Sequence, residues 1–396
     1  MNRCFAIILA CLSVVHGLSR PGACQTSAEL ESYFRQNIGL KQDQVDDIRK
    51  GKPVVKVMKS RIPDDIIVFG AAHINATPES YIEFFNDFDR LRKLPAYLAI
   101  AKFSNPAAVG DLNGFSFGAE DVKELRSCKP GDCKIQLPDE SMEAYQKSID
   151  WNAPDIQERV NQLLRQRTIE RLQAYQRDGN RALITYDDKD KPLNTAKQFE
   201  AILSYAQTLP TNLPDFRHYL LAYPDAKPAN TQDVFYWANE KFGLKPTLRV
   251  MHVVTRKAES ANEPAYAIAE KQLYASHYFQ TALNLTFIIR DAGTSSTGFY
   301  LLRAMGSTQA GLTGFKGSII RGKAVKQATS FLKKSLGDLK NDLEKPGARS
   351  ELHCCVGTPL HNQPHWSHWT ALDVSSVTRK SQRAEAAPAV NLDSTP

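Results

Sequence analysis

One amphipathic segment near the C-terminus limits the possible folds of this chain more than any other feature. Between Gly317 and Glu344, apolar residues recur at spacings of three and four, which is the period of one helical face. An isolated helix of this kind is only marginally stable in water. The pattern therefore predicts a long helix packed against a large apolar surface. The face comprises Val325, Ala328, Leu332, Leu336, Leu339 and Leu343.

Four β-rich runs between residues 246 and 305 provide a candidate for that surface. Their enrichment in β-branched and aromatic residues predicts long antiparallel strands. The runs are LRVMHVV, AYAIAEKQLYA, LNLTFII and TGFYLLRAM.

The N-terminal third is predicted to supply further strands over 53–59, 65–74 and 97–103. A helix is predicted between the second and third of these. Thr77 is a good N-cap, and Pro78 suits the first helical position. We expect this helix to continue until just before Pro95, because the residue preceding a proline disfavours the helical conformation.

Residues 119–245 show helical periodicity broken by prolines. We predict helices beginning near Asn152 and Thr195, a third through Phe216, and a fourth over 231–243. The predicted organisation is α+β. Residues 18–118 and 246–345 form one sheet-and-helix domain, 119–245 form a helical insert, and 346–396 form a disordered tail.

The first residues, MNRCFAIILACLSVVHG, combine a basic start with a short apolar core. This pattern predicts a signal peptide over 1–17 and an exported protein, periplasmic or secreted. A buried N-terminal helix is the alternative. Lipid attachment at Cys24 is disfavoured because Pro21 occupies the position that needs a large aliphatic residue.

Cys128 and Cys133 flank Lys-Pro-Gly-Asp, and Pro-Gly is favoured at the centre of a type II turn. Such a turn brings its flanks together, and disulfides persist in exported proteins. We predict a disulfide between these cysteines. A redox site, a metal site or two unpaired thiols are the alternatives.

Composition excludes few functions. Hydrophobic residues make up 42% of the chain, and the net charge of +7 is mild for 396 residues. This charge does not argue for nucleic-acid binding, although it permits peripheral contact with an anionic membrane. We predict no cofactor, since the chain lacks a phosphate-binding glycine loop.

Asn75 and Asn284 begin glycosylation sequons, which matter only in a eukaryotic secretory pathway.

A tract near the C-terminus gathers histidines and cysteines without the spacing of a closed metal site, so no metal site is predicted. Its potential ligands are His353, Cys354, Cys355, His361, His365 and His368.

Four residues in the β-rich half are the candidates for ligand binding. Arg303 has the same strand parity as Phe299 and Leu301, so it would lie on an apolar sheet face. A buried arginine there is costly unless it is paired. It is therefore either an anchor for an anionic group in a pocket or an edge residue extending towards solvent. His277 either lines a pocket or is a hydrogen-bonded core histidine.

The order of these elements resembles the helix-grip arrangement of the START and polyketide-cyclase-like superfamily. The resemblance rests on PVVKVMK, on DIIVFGAAHINATPESYIEFFNDF, on the strands from 246 to 305 and on the helix from Gly317. It implies a curved antiparallel sheet that grips the last helix around an apolar pocket for a lipid-like molecule. The superfamily has no fixed catalytic set, so the resemblance assigns no catalytic residue.

Three functions follow as hypotheses. The first is an exported binder of a hydrophobic or amphipathic small molecule. The second is an enzyme, a cyclase or hydrolase, that uses the same cavity with His73, His252 or His277 as candidate titratable groups. The third is an envelope interaction protein that binds its partner through the helical insert. The oligomeric state is not predicted.

Overall fold

The computed structural model describes residues 27–60, 62–204, 213–242, 245–260, 263–291 and 298–345. The predicted signal peptide and the His/Cys-rich tail lie outside these residues. The described part has the predicted α+β fold. It contains an open eight-stranded antiparallel sheet and a long helix near the C-terminus that packs on it.

The sheet order is β1-β2-β10-β9-β8-β7-β6-β3. The strand Asp65–Ile74, which precedes the helix beginning at Pro78, therefore pairs with the last strand. The strand Tyr97–Lys102, which follows that helix and the next one, lies at the opposite edge of the sheet. This order is compatible with a helix-grip arrangement. The strands are β1 (Val54–Met58), β2 (Asp65–Ile74), β3 (Tyr97–Lys102), β6 (Thr231–Phe242), β7 (Lys245–Lys257), β8 (Tyr266–Ala275), β9 (Phe279–Arg290) and β10 (Phe299–Gln309), with a separate pair β4 (Thr185–Tyr186) and β5 (Leu193–Asn194).

Helices cover both faces of the sheet, and each face has its own hydrophobic core. The front face, which carries Phe299 and Leu301, packs against α3, α4 and α10. The back face, which carries Tyr300 and Leu302, packs against α1, α2 and the inserted helices α5 to α9. The helices are α1 (Ser27–Gln36), α2 (Gln42–Arg49), α3 (Pro78–Asn86), α4 (Phe88–Arg92), α5 (Ala119–Leu125), α6 (Asp139–Ser148), α7 (Ile156–Asp178), α8 (Thr195–Ser204), α9 (Pro214–Ala222) and α10 (Gly314–Leu343).

The long helix α10 buries the predicted face, but its main neighbours are β1 and β2 and not the strands between 246 and 305. Gly70 of β2 explains why α10 can pack closely against this strand. A Cβ atom there would lie 2.8 Å from Leu332 and 2.9 Å from Leu336, so only glycine allows this close approach. The front faces of β8 and β10 instead carry Glu270 and Arg303, which an apolar helix face would desolvate at a cost.

The prediction of a helix over 231–243 was wrong, because this segment forms β6. Its side chains alternate between the two cores: Tyr236 faces the front and Trp237 faces the back. Aromatic residues favour strands, and three in succession can be buried on a strand that is covered on both faces. The helical part of the insert therefore ends with α9.

One smaller prediction also needed correction. The helix capped by Thr77 breaks at Asp87, whose side chain accepts from the backbone N–H of Arg90 at 2.9 Å. A second N-cap therefore begins α4 within the predicted span.

The cysteine pair has the predicted geometry. The sulfur atoms of Cys128 and Cys133 lie 2.09 Å apart, at disulfide distance. Between them, the N–H of Asp132 donates to the carbonyl of Lys129 at 3.0 Å. Gly131 has a φ of 81°, as the third position of a type II turn requires.

Candidate functional site

A cleft opens on the front face between the sheet and α10, and we call it the front cleft. It contains about 850 Å³ of space, part of which is open to solvent. Its apolar lining is Ile66, Val68, Met251, Phe279, Ala282, Met305, Ala328 and Phe331.

The floor of the front cleft is charged. Arg303 on β10 donates to Glu270 on β8 at 2.7 Å, and Arg249 on β7 lies 3.3 Å from Glu240 on β6. The Arg303 and Arg249 side chains are 4% and 9% exposed. A charge in such surroundings is tolerated only with a partner. Each arginine is matched by a carboxylate on a neighbouring or nearby strand, so the floor presents donors and acceptors with little net charge.

A second pocket continues the front cleft beneath α3 and α4. It contains about 600 Å³ and shares Tyr97, Tyr236 and Glu270 with the front cleft. Burial raises the pKa of the Tyr97 and Tyr236 hydroxyls above the usual value. Both phenols therefore stay protonated at neutral pH and are able to donate hydrogen bonds to a bound molecule.

The structure separates the four predicted ligand-binding residues. Arg303 lines the front cleft, where it pairs with Glu270 at 2.7 Å; its role as an anchor for an anionic group stays a prediction. Phe299 and Leu301 lie on the same face but belong to the core, where Phe299 packs edge-on against Tyr81. His277 lies between β8 and β9, and its Nε2 is 3.4 Å from Asp121.

Sequence analysis missed Glu270, Glu240 and Arg249. A signal was present, because Glu270 interrupts the apolar run of β8 at a position that faces the same side as Ile268. Strand parity alone could have placed this carboxylate on the front face. Its pairing with Arg303 could not be predicted, since β9 separates the two strands and the sheet order is set by tertiary structure.

A chain of buried polar groups lies behind the sheet, and we call it the back-face chain. The Nε2 atom of His252 is 2.8 Å from Asp233, its Nδ1 is 3.0 Å from the Tyr175 hydroxyl, and Lys271 Nζ donates to that hydroxyl at 3.2 Å. Burial lowers the pKa of His252. With the ring proton on Nε2, the imidazole donates to Asp233 and accepts from Tyr175.

Lys271 is 1% exposed and has no carboxylate within ion-pair distance among the residues that the structure describes. Burial lowers its pKa well below the usual value. Its ammonium lies 3.9 Å above the centre of the Phe199 ring, an arrangement that favours the charged form. A cation–π contact is worth about 2 kcal/mol when desolvated, whereas burying a charge costs several kcal/mol. Burial therefore dominates and favours the neutral amine.

A narrow, mainly apolar pocket, the back cavity, adjoins this chain between the sheet and the insert; its volume comparable to a closed cavity is about 30 Å³. Tyr175 belongs to both, since it lines the back cavity and joins His252 to Lys271. Of the three histidines proposed as titratable groups, His252 alone is part of this arrangement within the described ranges. His73 instead pairs with Asp291 at 3.1 Å.

Among the described residues, no group of three or more potential ligands could hold a metal ion, and no helix in these ranges is long and apolar enough to cross a membrane.

Comparison with known proteins identifies no relative of this chain. No family model, no curated protein and no solved structure matches this chain.

Proposed function

We propose that this protein is an exported binder of an amphipathic small molecule, held in the front cleft. The observation that carries the proposal is the pair of buried, carboxylate-paired arginines, Arg303 and Arg249, that line a cleft with otherwise largely apolar walls. Ligand sites are commonly apolar with a few placed polar groups. The resemblance to helix-grip proteins supports the same location, between the sheet and the last helix.

The charges on the floor restrict the chemistry of the ligand. Arg303 and Arg249 each have a carboxylate within ion-pair distance, so an anionic ligand would have to compete with Glu270 and Glu240. A neutral or zwitterionic polar group can instead use both the donors and the acceptors. We therefore propose a ligand with an apolar body and a hydroxyl, amide or zwitterionic head.

Filling the front cleft is expected to abolish binding. Ser307 is half-buried in the lining, so Ser307→Trp places an indole ring in the ligand space. Titration with the neutral fluorescent probe N-phenyl-1-naphthylamine should show binding to the wild type and at least about tenfold weaker binding to this variant, since each 1.4 kcal/mol of lost binding free energy is tenfold in affinity.

The matched control is Ser330→Trp, which adds the same ring at an exposed position on α10 and should leave probe affinity unchanged. Mass spectrometry of organic extracts from natively expressed protein then identifies the natural ligand. A wild type that binds neither the probe nor a co-purified amphiphile would refute the proposal.

A second function, catalysis, is favoured by the back-face chain. Tyr175 has a base on one side in His252 and an amine on the other in Lys271. Burial raises the pKa of the Tyr175 hydroxyl well above its usual value, so the phenol is protonated. It would donate a hydrogen bond to an apolar carbonyl compound in the back cavity, with His252 as the base that would accept its proton. The interaction role proposed for the helical insert stays a prediction, since no contact in the structure tests it.

If His252 accepts the Tyr175 proton, the phenolate is expected to react with an apolar aryl sulfonyl fluoride, forming a sulfonate ester and releasing fluoride. His252→Phe keeps a ring of similar size but removes the base, so labelling should fall about tenfold or more. Peptide mass spectrometry locates the adduct. Tyr145 lines the same cavity and is the internal control. Equal labelling of both tyrosines, or no change in His252→Phe, would show that the chain is only structural.

A further inference from the structure

The first turns of α10 expose two large apolar side chains. Phe315 is 84% exposed and Ile319 is 52% exposed. They are four residues apart, so they lie together on one side of the helix. This side is opposite the face that carries Leu332 and Leu336 into the front core. Most of the Phe315 side chain and about half of the Ile319 side chain are therefore open to a partner.

The same side of α10 is strongly basic. Residues 310–337 contain six basic residues, Lys316, Arg321, Lys323, Lys326, Lys333 and Lys334, and no acidic residue. Lys323, Lys326 and Lys333 follow Ile319 along the exposed side. Among the described residues, Lys334 has a carboxylate partner in Asp338, but these three lysines have none within ion-pair distance. The exposed stripe is therefore apolar at its start and positively charged beyond it.

We infer that the stripe formed by Phe315, Ile319, Lys323 and Lys326 docks on a membrane surface containing anionic lipids. Aromatic and aliphatic side chains enter the boundary between headgroups and acyl chains, while lysines on the flank meet lipid phosphates. Charge complementarity identifies the occupant as anionic, and the apolar pair distinguishes a bilayer from a purely ionic partner such as a nucleic-acid backbone.

The docking site lies at one end of the front cleft. Residues 310–314 alone separate Phe315 from Gln309, which lines the front cleft. Docking would bring this end of the cleft near the bilayer, where amphipathic molecules reside. The inference extends the proposed function but does not depend on it, because the stripe is exposed whether or not the cleft holds a ligand.

Flotation of the mature protein with vesicles tests the inference. We expect binding to phosphatidylcholine vesicles that contain 30% phosphatidylglycerol, weakening as salt rises because salt screens exposed charges. Vesicles of phosphatidylcholine alone should bind at least about tenfold less protein, since polybasic surfaces respond to anionic lipid. The double variant Phe315→Ser, Ile319→Ser should lose about tenfold in affinity for the anionic vesicles, as buried apolar area contributes to interfacial binding.

The matched control is Leu98→Ser, Val109→Ser, which removes two other exposed apolar side chains, 51% and 46% exposed. It should float like the wild type. Ser307→Trp should also float normally, so failure of ligand binding and failure of docking can be told apart. No flotation of the wild type, equal flotation with both vesicle types, or binding to single-stranded DNA in place of vesicles would overturn the inference.

Discussion

Leu332→Asp is expected to unfold much of the front core. Leu332 lies on α10 and is fully buried against Gly70 of β2. Removing a buried leucine costs about 2–5 kcal/mol, and an unpaired carboxylate in its place adds to that cost. We expect the free energy of unfolding to fall by about 4 kcal/mol or more, measured by urea denaturation and by the melting temperature.

Ser330→Asp provides the control, because it introduces the same charge at an exposed position two residues earlier. Exposed substitutions usually change stability by about 0.5 kcal/mol or less. The pair of variants also tests a different role for α10, in which the helix lies detached on a membrane. In that case Leu332→Asp would weaken vesicle binding but leave the melting temperature unchanged, and the fold described above would be wrong.

Breaking the ion pair between Arg303 and Glu270 should have the second large effect. Arg303→Met leaves the carboxylate of Glu270 without its arginine in the floor of the front cleft. Removing one partner of a buried pair costs about 3–5 kcal/mol, and we expect Arg303→Met to lose stability in this range. Urea denaturation of the purified variant measures the loss.

The double variant Arg303→Met, Glu270→Met is the decisive comparison. Replacing both partners with apolar side chains is often neutral or stabilising, so it should recover to within about 1 kcal/mol of the wild type. If the front cleft recognises a polar head, the recovered protein should still lose the natural ligand. Equal losses in the single and double variants would contradict this expectation, because they would show that the ion pair stabilises the fold more than two apolar side chains do.

Local sequence signals predicted the regular elements well wherever one periodicity dominated. The stripe from Val325 to Leu343 forms one face of α10, and Thr77 caps α3 through the N–H of Ser80 at 3.2 Å. The strand predicted over 65–74 is also present, as β2. In each case the signal lies within a few residues of chain, so local physical chemistry was sufficient.

The prediction of secondary structure failed where one residue pattern is compatible with both a helix and a strand. The aromatic run from Phe235 to Trp237 suits a buried strand as well as a helix face, and its pairing with β3 and β7 decided the outcome. The candidate sites show the same limit. Arg303 was identified from strand parity and His252 was named as a titratable candidate, whereas Glu270 and the partners of His252 in the back-face chain were not identified.

The sequence by itself determined the α+β class, the long C-terminal helix, most strands and the turn that joins Cys128 to Cys133. These features depend on periodicity, capping and turn chemistry within short segments. Only the tertiary structure decided that α10 packs on β1 and β2, that Arg303 meets Glu270, and that His252 joins Asp233 to Tyr175. These contacts connect residues far apart in the chain, and their geometry depends on the sheet order, which no local pattern encodes.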